Sequence, residues 1–186
     1  MGDLIYSTTV SLDGFIAGPD GELDWSVPSP ELHRFHNEQV RELAAHLCGR
    51  RLYETMLYWE TAEESGSLTT DYAREFAAIW KALPKIVFSR TLETVEGNAT
   101  LVREVVAEQI VALKAQADRP LGVGGADLAG ALTKLALVDE YRIFVSPAVL
   151  GAGAPCFPAL GKRIDLELVE TRTFASGVVY LRYRRV

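Results

Sequence analysis

The chain has 186 residues, 48% of them hydrophobic, which suits one compact domain that buries roughly 70% of the surface exposed by its unfolded chain. Its 25 Asp and Glu outnumber its 19 Lys and Arg, and the net charge of −6 argues against nucleic acid or an anionic membrane as the main partner. Cys48 and Cys156 lack metal-ligand spacing, and no apolar run reaches the about 18 residues of a membrane span, so we expect a cytoplasmic protein without a metal site.

The first predicted element is a buried strand, Leu4–Leu12, because β-branched residues dominate this segment. Residues 13–25 follow, and their Gly, Pro and Asp predict a loop that can reshape over a site. Asp13 is a candidate polar group of this loop. A turn-forming aspartate before Gly14 is the equally good alternative.

A helix is predicted to begin at Pro30, with Ser29 as its N-cap. Apolar residues continue at helical spacing as far as Leu47, so one face of this helix is expected to pack on the sheet. Glu31 falls in the first turn, where a carboxylate usually complements the helix dipole.

The next pattern is a short strand, a glycine and a second helix. Gly49, Arg50 and Arg51 stand at the start of that helix, where the two arginines oppose the helix dipole. A bound anion would resolve this conflict. Ion pairing of the arginines with Glu42 or Glu54 is the alternative.

Two further strand ends are suited to an anionic ligand. Ser89 and Arg90 end a predicted strand over 84–90, and α/β sheets place ligand groups at such carboxyl ends. The segment Gly122–Asp127 leads from another strand into a helix over 126–135. Its glycines predict either a phosphate cradle or a turn required only for close packing.

The remaining elements complete the predicted sheet. A helix over 70–82 precedes the Ser89 strand, and a strand over 99–102 and a helix over 104–117 follow it. Strands are predicted over 141–146, 164–173 and 177–185, the last two as an antiparallel edge ribbon. The order of elements predicts an α/β fold with a mixed, mainly parallel sheet, antiparallel C-terminal strands and helices on both faces.

Five motifs occur in register along the chain: Ser11–Ala17, Gly49–Glu54, Val87–Leu92, Gly124–Gly125, and Leu137–Glu140 with Pro147–Gly153. Together they resemble the dihydrofolate reductase-like superfamily. The closer resemblance is to the C-terminal reductase domain of the bifunctional riboflavin-biosynthesis deaminase-reductase and its stand-alone relatives. It covers nearly the whole chain, as one domain over 1–186.

The resemblance implies an NADPH-dependent reductase, and it implies a role for each motif. Relatives often have Thr where this chain has Leu52, so one phosphate-binding hydroxyl is missing. The implied cofactor contacts are Thr9, Ile16 and Ala17 at the nicotinamide, Gly49, Arg50 and Arg51 at phosphate, Ser89 and Arg90 at the adenosine 2′-phosphate, and Gly124, Gly125, Ala126 and Asp127 at the pyrophosphate.

The resemblance leaves the substrate open between a ribosylaminopyrimidine of riboflavin synthesis, a dihydropterin and an unrelated carbonyl or imine. Glu31 resembles, after a one-residue shift, the pterin-binding carboxylate of dihydrofolate reductases. It and Asp13 are therefore the candidate catalytic residues, with proton delivery as the implied role. The deaminase zinc signature is absent, because Pro155-Cys156 lacks its partners.

Two other functions are alternatives to an NADPH-dependent reductase of this family. An ordinary Rossmann oxidoreductase would use Gly122, Gly124 and Asp127, but Asp127 occupies the position of the third small residue of that fingerprint. A nucleotide-binding dimeric module without catalysis is the alternative from another class. A homodimer is expected in either case, because relatives pair and the C-terminal strands offer an uncovered edge.

Overall fold

The fold is built around one eight-stranded sheet, and the structure, a computed structural model, describes residues 1–186. The strands are β1 (Leu4–Ser11), β2 (Phe15–Ala17), β3 (Ala45–Gly49), β4 (Lys85–Phe88), β5 (Ala99–Val102), β6 (Leu121–Gly124), β7 (Glu140–Ser146), β8 (Ala154–Pro155), β9 (Leu166–Thr173) and β10 (Val179–Arg185). The helices are α1 (Pro30–Arg41), α2 (Arg50–Met56), α3 (Tyr58–Thr61), α4 (Asp71–Ala82), α5 (Ala107–Gln116) and α6 (Ala126–Lys134), with a 3-10 turn at Asp24–Ser26.

The strand order in the large sheet is β5-β4-β3-β6-β1-β7-β10-β9. The first six strands are parallel to one another, whereas β10 pairs antiparallel with both β7 and β9. The predicted mixed, mainly parallel sheet with an antiparallel C-terminal ribbon is therefore confirmed. This topology agrees with the fold that the sequence resemblance implies.

Helices cover both faces of the sheet because its central strands are apolar on both sides. On one face α5 and α6 bury Ile110 and Leu132 against strand residues such as Leu4 and Val123. On the other face α2 and α4 pack against the strands, and α1 covers an aromatic cluster beside them. The second face holds the cleft described below.

The predicted start of α1 is confirmed, but its predicted extent is wrong. Ser29 caps the helix by accepting a hydrogen bond from the backbone N–H of Leu32, at 3.3 Å. The helix ends at Arg41, and Leu47 lies instead in β3. Pairing of β3 with β4 and β6 on its two sides outweighs the helical spacing of its apolar residues.

A small ribbon was missing from the sequence prediction. Residues 15–17, which we expected to form part of a loop, pair as β2 with β8, more than 130 residues away. No helix of the structure combines the length and apolar character that crossing a membrane requires.

Candidate active site

Four neighbouring strands end at the same edge of the sheet, and the predicted anion-binding segments follow three of them. These strands are β4, β3, β6 and β1, in that order. Adjacent strands are about 4.8 Å apart, so the edge from β4 to β1 is about 14 Å long. In α/β sheets, ligands bind at the carboxyl ends of strands. The topology therefore brings together segments that are far apart in sequence.

The segment after β3 forms the N-terminus of α2. Gly49 occupies the N-cap position, and no side chain caps the helix, which leaves first-turn backbone N–H groups without a capping side chain. Arg50 lies 3.7 Å from Glu54 and donates to Thr91 Oγ1 at 3.2 Å. The Arg50–Glu54 pair is about half-exposed and therefore weak. Arg51 is exposed and forms no ion pair.

The Ser89 side chain stabilises the turn that follows β4. Its buried hydroxyl accepts hydrogen bonds from the backbone N–H groups of Thr91, at 3.2 Å, and Leu92, at 3.0 Å. Arg90 is exposed and has no ion-pair partner. The structure thus gives Ser89 a role in shaping the turn and leaves the Arg90 guanidinium open to a ligand.

The glycines after β6 serve two different purposes. A Cβ at Gly124 would lie 2.3 Å from Leu52 Cδ2, and one at Gly122 would lie 2.7 Å from the His46 ring. Side-chain packing therefore favours glycine at both positions. Gly125 differs, because its φ of +89° sets the turn into α6 and nothing but Leu52 Cβ, at 3.9 Å, is close.

The N-terminus of α6 has mixed electrostatics. No side chain caps this nine-residue helix, and Ala126 is buried at its first position. Asp127 is exposed in the first turn, where its carboxylate complements the helix dipole and disfavours a second anion. The first turn of α2 contains no acidic residue, so no carboxylate there opposes the binding of an anion.

The expected nicotinamide contacts lie near the end of β1 and on the small ribbon. Thr9 is half-buried, two residues before the end of β1. Ile16 and Ala17 are half-buried on β2, where Ala17 pairs with Ala154. A Cβ at Gly153 would lie 2.1 Å from the Ala17 carbonyl oxygen, so the ribbon requires a glycine beside it.

The Asp13 side chain connects the turn between β1 and β2 to the loop after β7. Its carboxylate accepts hydrogen bonds from Ser11 Oγ at 2.6 Å, from Leu150 N–H at 3.1 Å and from Gly151 N–H at 2.7 Å. The Ser11 bond and the backbone donors lower its pKa to about 2. These contacts favour the alternative of a structural, turn-forming aspartate, because a carboxylate that is ionised at neutral pH is a poor proton donor.

A cleft of about 190 Å³ lies between the sheet and helices α1, α2 and α4. Its floor includes Ser7, Gly124 and Gly125, so it adjoins the strand edge described above. Leu52 packs against Gly124 where the cleft meets the strand edge. Relatives often have the hydroxyl of a threonine at the position of Leu52, so the contact is apolar in this chain. The apolar lining consists of Ile5, Val40, Leu43, Leu52, Met56, Phe76 and Trp80.

The polar side chains of this cleft were not predicted from the sequence. They include Gln39 of α1, His46 of β3 and Arg142 of β7. Burial lowers the pKa of His46 to about 4, so its ring is neutral at neutral pH. Arg142 could have been identified from the sequence, because Glu140 and Arg142 are charged residues in a mainly apolar strand and lie on the same face of it.

Glu31 lies outside the cleft. Its carboxylate accepts hydrogen bonds from Arg172 Nη2 at 3.1 Å and from Ala175 N–H at 3.4 Å. Gln39, which does line the cleft, is eight residues further along α1, or about 12 Å. An aromatic cluster packs under the N-terminal half of the helix, consisting of Phe35, Phe144, Phe174 and Tyr180. A substrate contact by Glu31 stays a prediction.

The chain resembles known proteins both in sequence and in structure. The family model described as the RibD C-terminal domain matches residues 3–180. YyaP, an uncharacterised protein of Bacillus subtilis, is 33% identical over 97% of this chain and 93% of its own length.

Solved structures resemble the whole fold. A Shewanella sp. PV-4 protein provisionally assigned to riboflavin biosynthesis has a TM-score of 0.78 and 25% identity, with 99% of each chain covered. Dihydrofolate reductase from Enterococcus faecalis, complexed with NADP(H), has a TM-score of 0.62 and 18% identity over 99% of this chain and 96% of its own. The second likeness concerns the fold alone.

Proposed function

Because this chain belongs to the RibD C-terminal domain family and is a reductase of the RibD type, we propose that it transfers hydride from NADPH to a pyrimidine- or pterin-like small molecule. One observation carries the proposal. Uncapped helix N-termini and unpaired arginines line one edge of the sheet, directly beside an apolar cleft. A dinucleotide bound along this edge would present its nicotinamide next to the cleft.

The residues at the strand edge fit the phosphates of such a cofactor. Gly49 leaves room for a ligand, since a Cβ there would meet only Leu128 Cβ, at 3.8 Å. The N–H groups of α2, with Arg51, suit a phosphate group of the cofactor. Arg90 suits the 2′-phosphate that distinguishes NADPH from NADH, because a guanidinium binds phosphate through paired donors. When bound, NADPH supplies the hydride.

The size of the cleft limits what enters it. At about 190 Å³ it is smaller than the 300–1,000 Å³ typical of pockets for drug-sized ligands. A flat ring therefore enters, and any ribosyl phosphate or other tail stays at the mouth. We propose the ribosylaminopyrimidine of riboflavin biosynthesis, 5-amino-6-(5-phosphoribosylamino)uracil, as the first substrate to test, with dihydrofolate and dihydropterins as the second class.

The experiment follows NADPH oxidation by absorbance with each substrate, for the wild type and for Glu31→Ala. We expect turnover of at least one pyrimidine or pterin. Loss of kcat with unchanged NADPH affinity in Glu31→Ala would support proton delivery by Glu31. Unchanged kinetics would assign Glu31 to the structural pair with Arg172. NADPH binding without turnover of any compound would contradict the reductase proposal and favour a non-catalytic binding module.

A further inference from the structure

Arg142 is a buried cation with an unused donor. Its side chain is 6% exposed, and it lines the cleft. Nε donates to Glu140 Oε1 at 2.7 Å, while Nη1 donates to Gln39 Oε1 and lies 3.4 Å from Glu42 Oε2. Nη2 has no protein acceptor. The only fully buried side-chain nitrogen or oxygen without a partner is Arg182 Nε, so Arg142 Nη2 keeps access to the cleft and can donate to a ligand acceptor there.

Arg142 shares its buried carboxylate partner with a second arginine. Glu140, 1% exposed, also accepts a hydrogen bond from Arg182 at 2.8 Å, and Arg182 Nε is itself buried without a partner. The other nearby carboxylates, Glu42 and Glu170, are about half-exposed and therefore screened by solvent. Arg142 and Glu140 are the two buried charges of this group, and Arg182, whose side chain is 28% exposed, is a second arginine on the same carboxylate. A negative charge in the cleft would give Arg142 a second buried acceptor.

Two further donors lie on the same side of the cleft. Ser7 is paired in register with Arg142 across β1 and β7, lines the cleft and has no side-chain partner within the protein. The Gln39 carbonyl oxygen is occupied by Arg142, which leaves the Gln39 amide N–H groups to donate. Arg142, Ser7 and Gln39 therefore form a polar end to a cleft whose other lining side chains, apart from Thr8 and His46, are apolar.

The geometry points to this polar end as the recognition site for a monoanionic group on the substrate. The substrate class is a flat aromatic or heteroaromatic ring bearing one carboxylate or one ionised imide. A phosphate dianion suits the site less, because Glu140 already pairs with Arg142 and repels a doubly charged group more strongly than a singly charged one. That this ligand is also the hydride acceptor rests on the proposed function, whereas its binding does not.

The test measures binding without cofactor by isothermal titration, using ring-matched probes. Orotate is compared with uracil, and benzoate with benzamide. We expect each anion to bind about tenfold more tightly than its neutral partner, as for a charge-assisted contact. Equal affinities within each pair, or no binding of either anion, would overturn the inference.

Substitutions test whether the preference for the anionic probes depends on the side chains at the polar end of the cleft. Arg142→Met should abolish the preference for the anion. Arg142→Met leaves the buried Glu140 with only the partly exposed Arg182 and Arg184 as partners and can impair folding. Ser7→Ala and Gln39→Met therefore provide independent tests, each with an expected loss of about threefold in orotate affinity. The matched control is Arg41→Met, which removes a half-exposed arginine outside the cleft on α1, the helix that carries Gln39. Equal losses in Arg41→Met and the cleft variants would contradict the assignment.

The two proposals can fail separately. Anion selectivity that depends on Arg142, in a protein that never oxidises NADPH, would support the site and reject the reductase proposal. NADPH oxidation by a protein that binds the anionic and the neutral probes equally well would reject the proposed anion site and leave the reductase proposal standing.

Discussion

Among single residues, Asp13 shows how a candidate catalytic carboxylate can be structural. It joins the turn after β1 to the loop after β7 through two backbone N–H groups 137 and 138 residues away. Because these donors favour the ionised form, the carboxylate stabilises the folded state at pH values above its ordinary pKa of about 3.9. This contribution is lost as the pH falls through about 2.

We therefore expect Asp13→Asn to lower the thermal unfolding midpoint at pH 7 and to have little effect near pH 2. Hydrogen exchange should be faster at Leu150 and Gly151 in the variant. Asp20→Asn, which alters an exposed aspartate of the same loop, is the control. A loss of kcat in Asp13→Asn with normal exchange at both amides would contradict a structural role.

The sequence could identify most candidate residues but not their contacts. Gly49, Arg50 and Arg51 were predicted as a helix start from local pattern, and they form one. The role of Arg142 depends on Gln39, Glu42 and Glu140, two of which are about 100 residues away. Periodicity within one strand carries no information about such partners. Glu31 illustrates the converse, because its partner Arg172 belongs to a distant strand.

Among the elements, boundaries were predictable where a local signal fixes them. Ser29 marks the start of α1, and Thr70 caps α4 in the same way. The end of α1 was not predictable, because β3 is defined by its neighbours in the sheet. The β2–β8 ribbon was missed for the same reason, since a three-residue strand is stable only through its remote partner.

The glycines at the ends of β3 and β6 give a prediction at this scale. Gly124→Ala should lower the free energy of unfolding by about 1–3 kcal/mol, because the new methyl group overlaps Leu52. Gly49→Ala meets no such contact and should change stability by about 1 kcal/mol or less. It should nevertheless weaken NADPH binding, because the methyl group occupies the surface that the phosphates approach.

Urea unfolding and cofactor titration of both variants provide the measurements. In a double-mutant cycle, Leu52→Ala should offset part of the cost of Gly124→Ala. Strictly additive effects would show that the Leu52 contact is unimportant. Normal NADPH affinity in Gly49→Ala would contradict the placement of the phosphates at α2.

For the whole molecule, the sequence predicted the mixed sheet, because the order of strand–helix units followed by consecutive strands restricts the topology. It also predicted the uncovered edge. Every residue of β9 is exposed, including Leu166, Leu168 and Val169. An exposed edge strand with apolar side chains offers both backbone hydrogen bonds and apolar area to a second copy.

We predict a homodimer that covers β9. Light scattering at micromolar concentration should give twice the mass of one chain, 20.4 kDa. Leu168→Lys with Val169→Lys should yield monomers, because buried lysines would lose hydration without gaining partners. Leu135→Lys, at a similarly exposed position in the C-cap of α6, should leave the dimer intact. A monomeric wild type would contradict the prediction.

The central claim is that the arginine-lined strand edge beside the cleft binds NADPH. Fluorescence titration of the wild-type protein with NADPH and with NADH tests this claim most directly. We expect NADPH to bind about tenfold more tightly or better, since one phosphate gains a charge-assisted contact. Arg90→Ala should remove this preference, whereas Arg119→Ala, an exposed arginine elsewhere, should keep it. Equal affinities for the two cofactors, or no binding of either, would contradict the account.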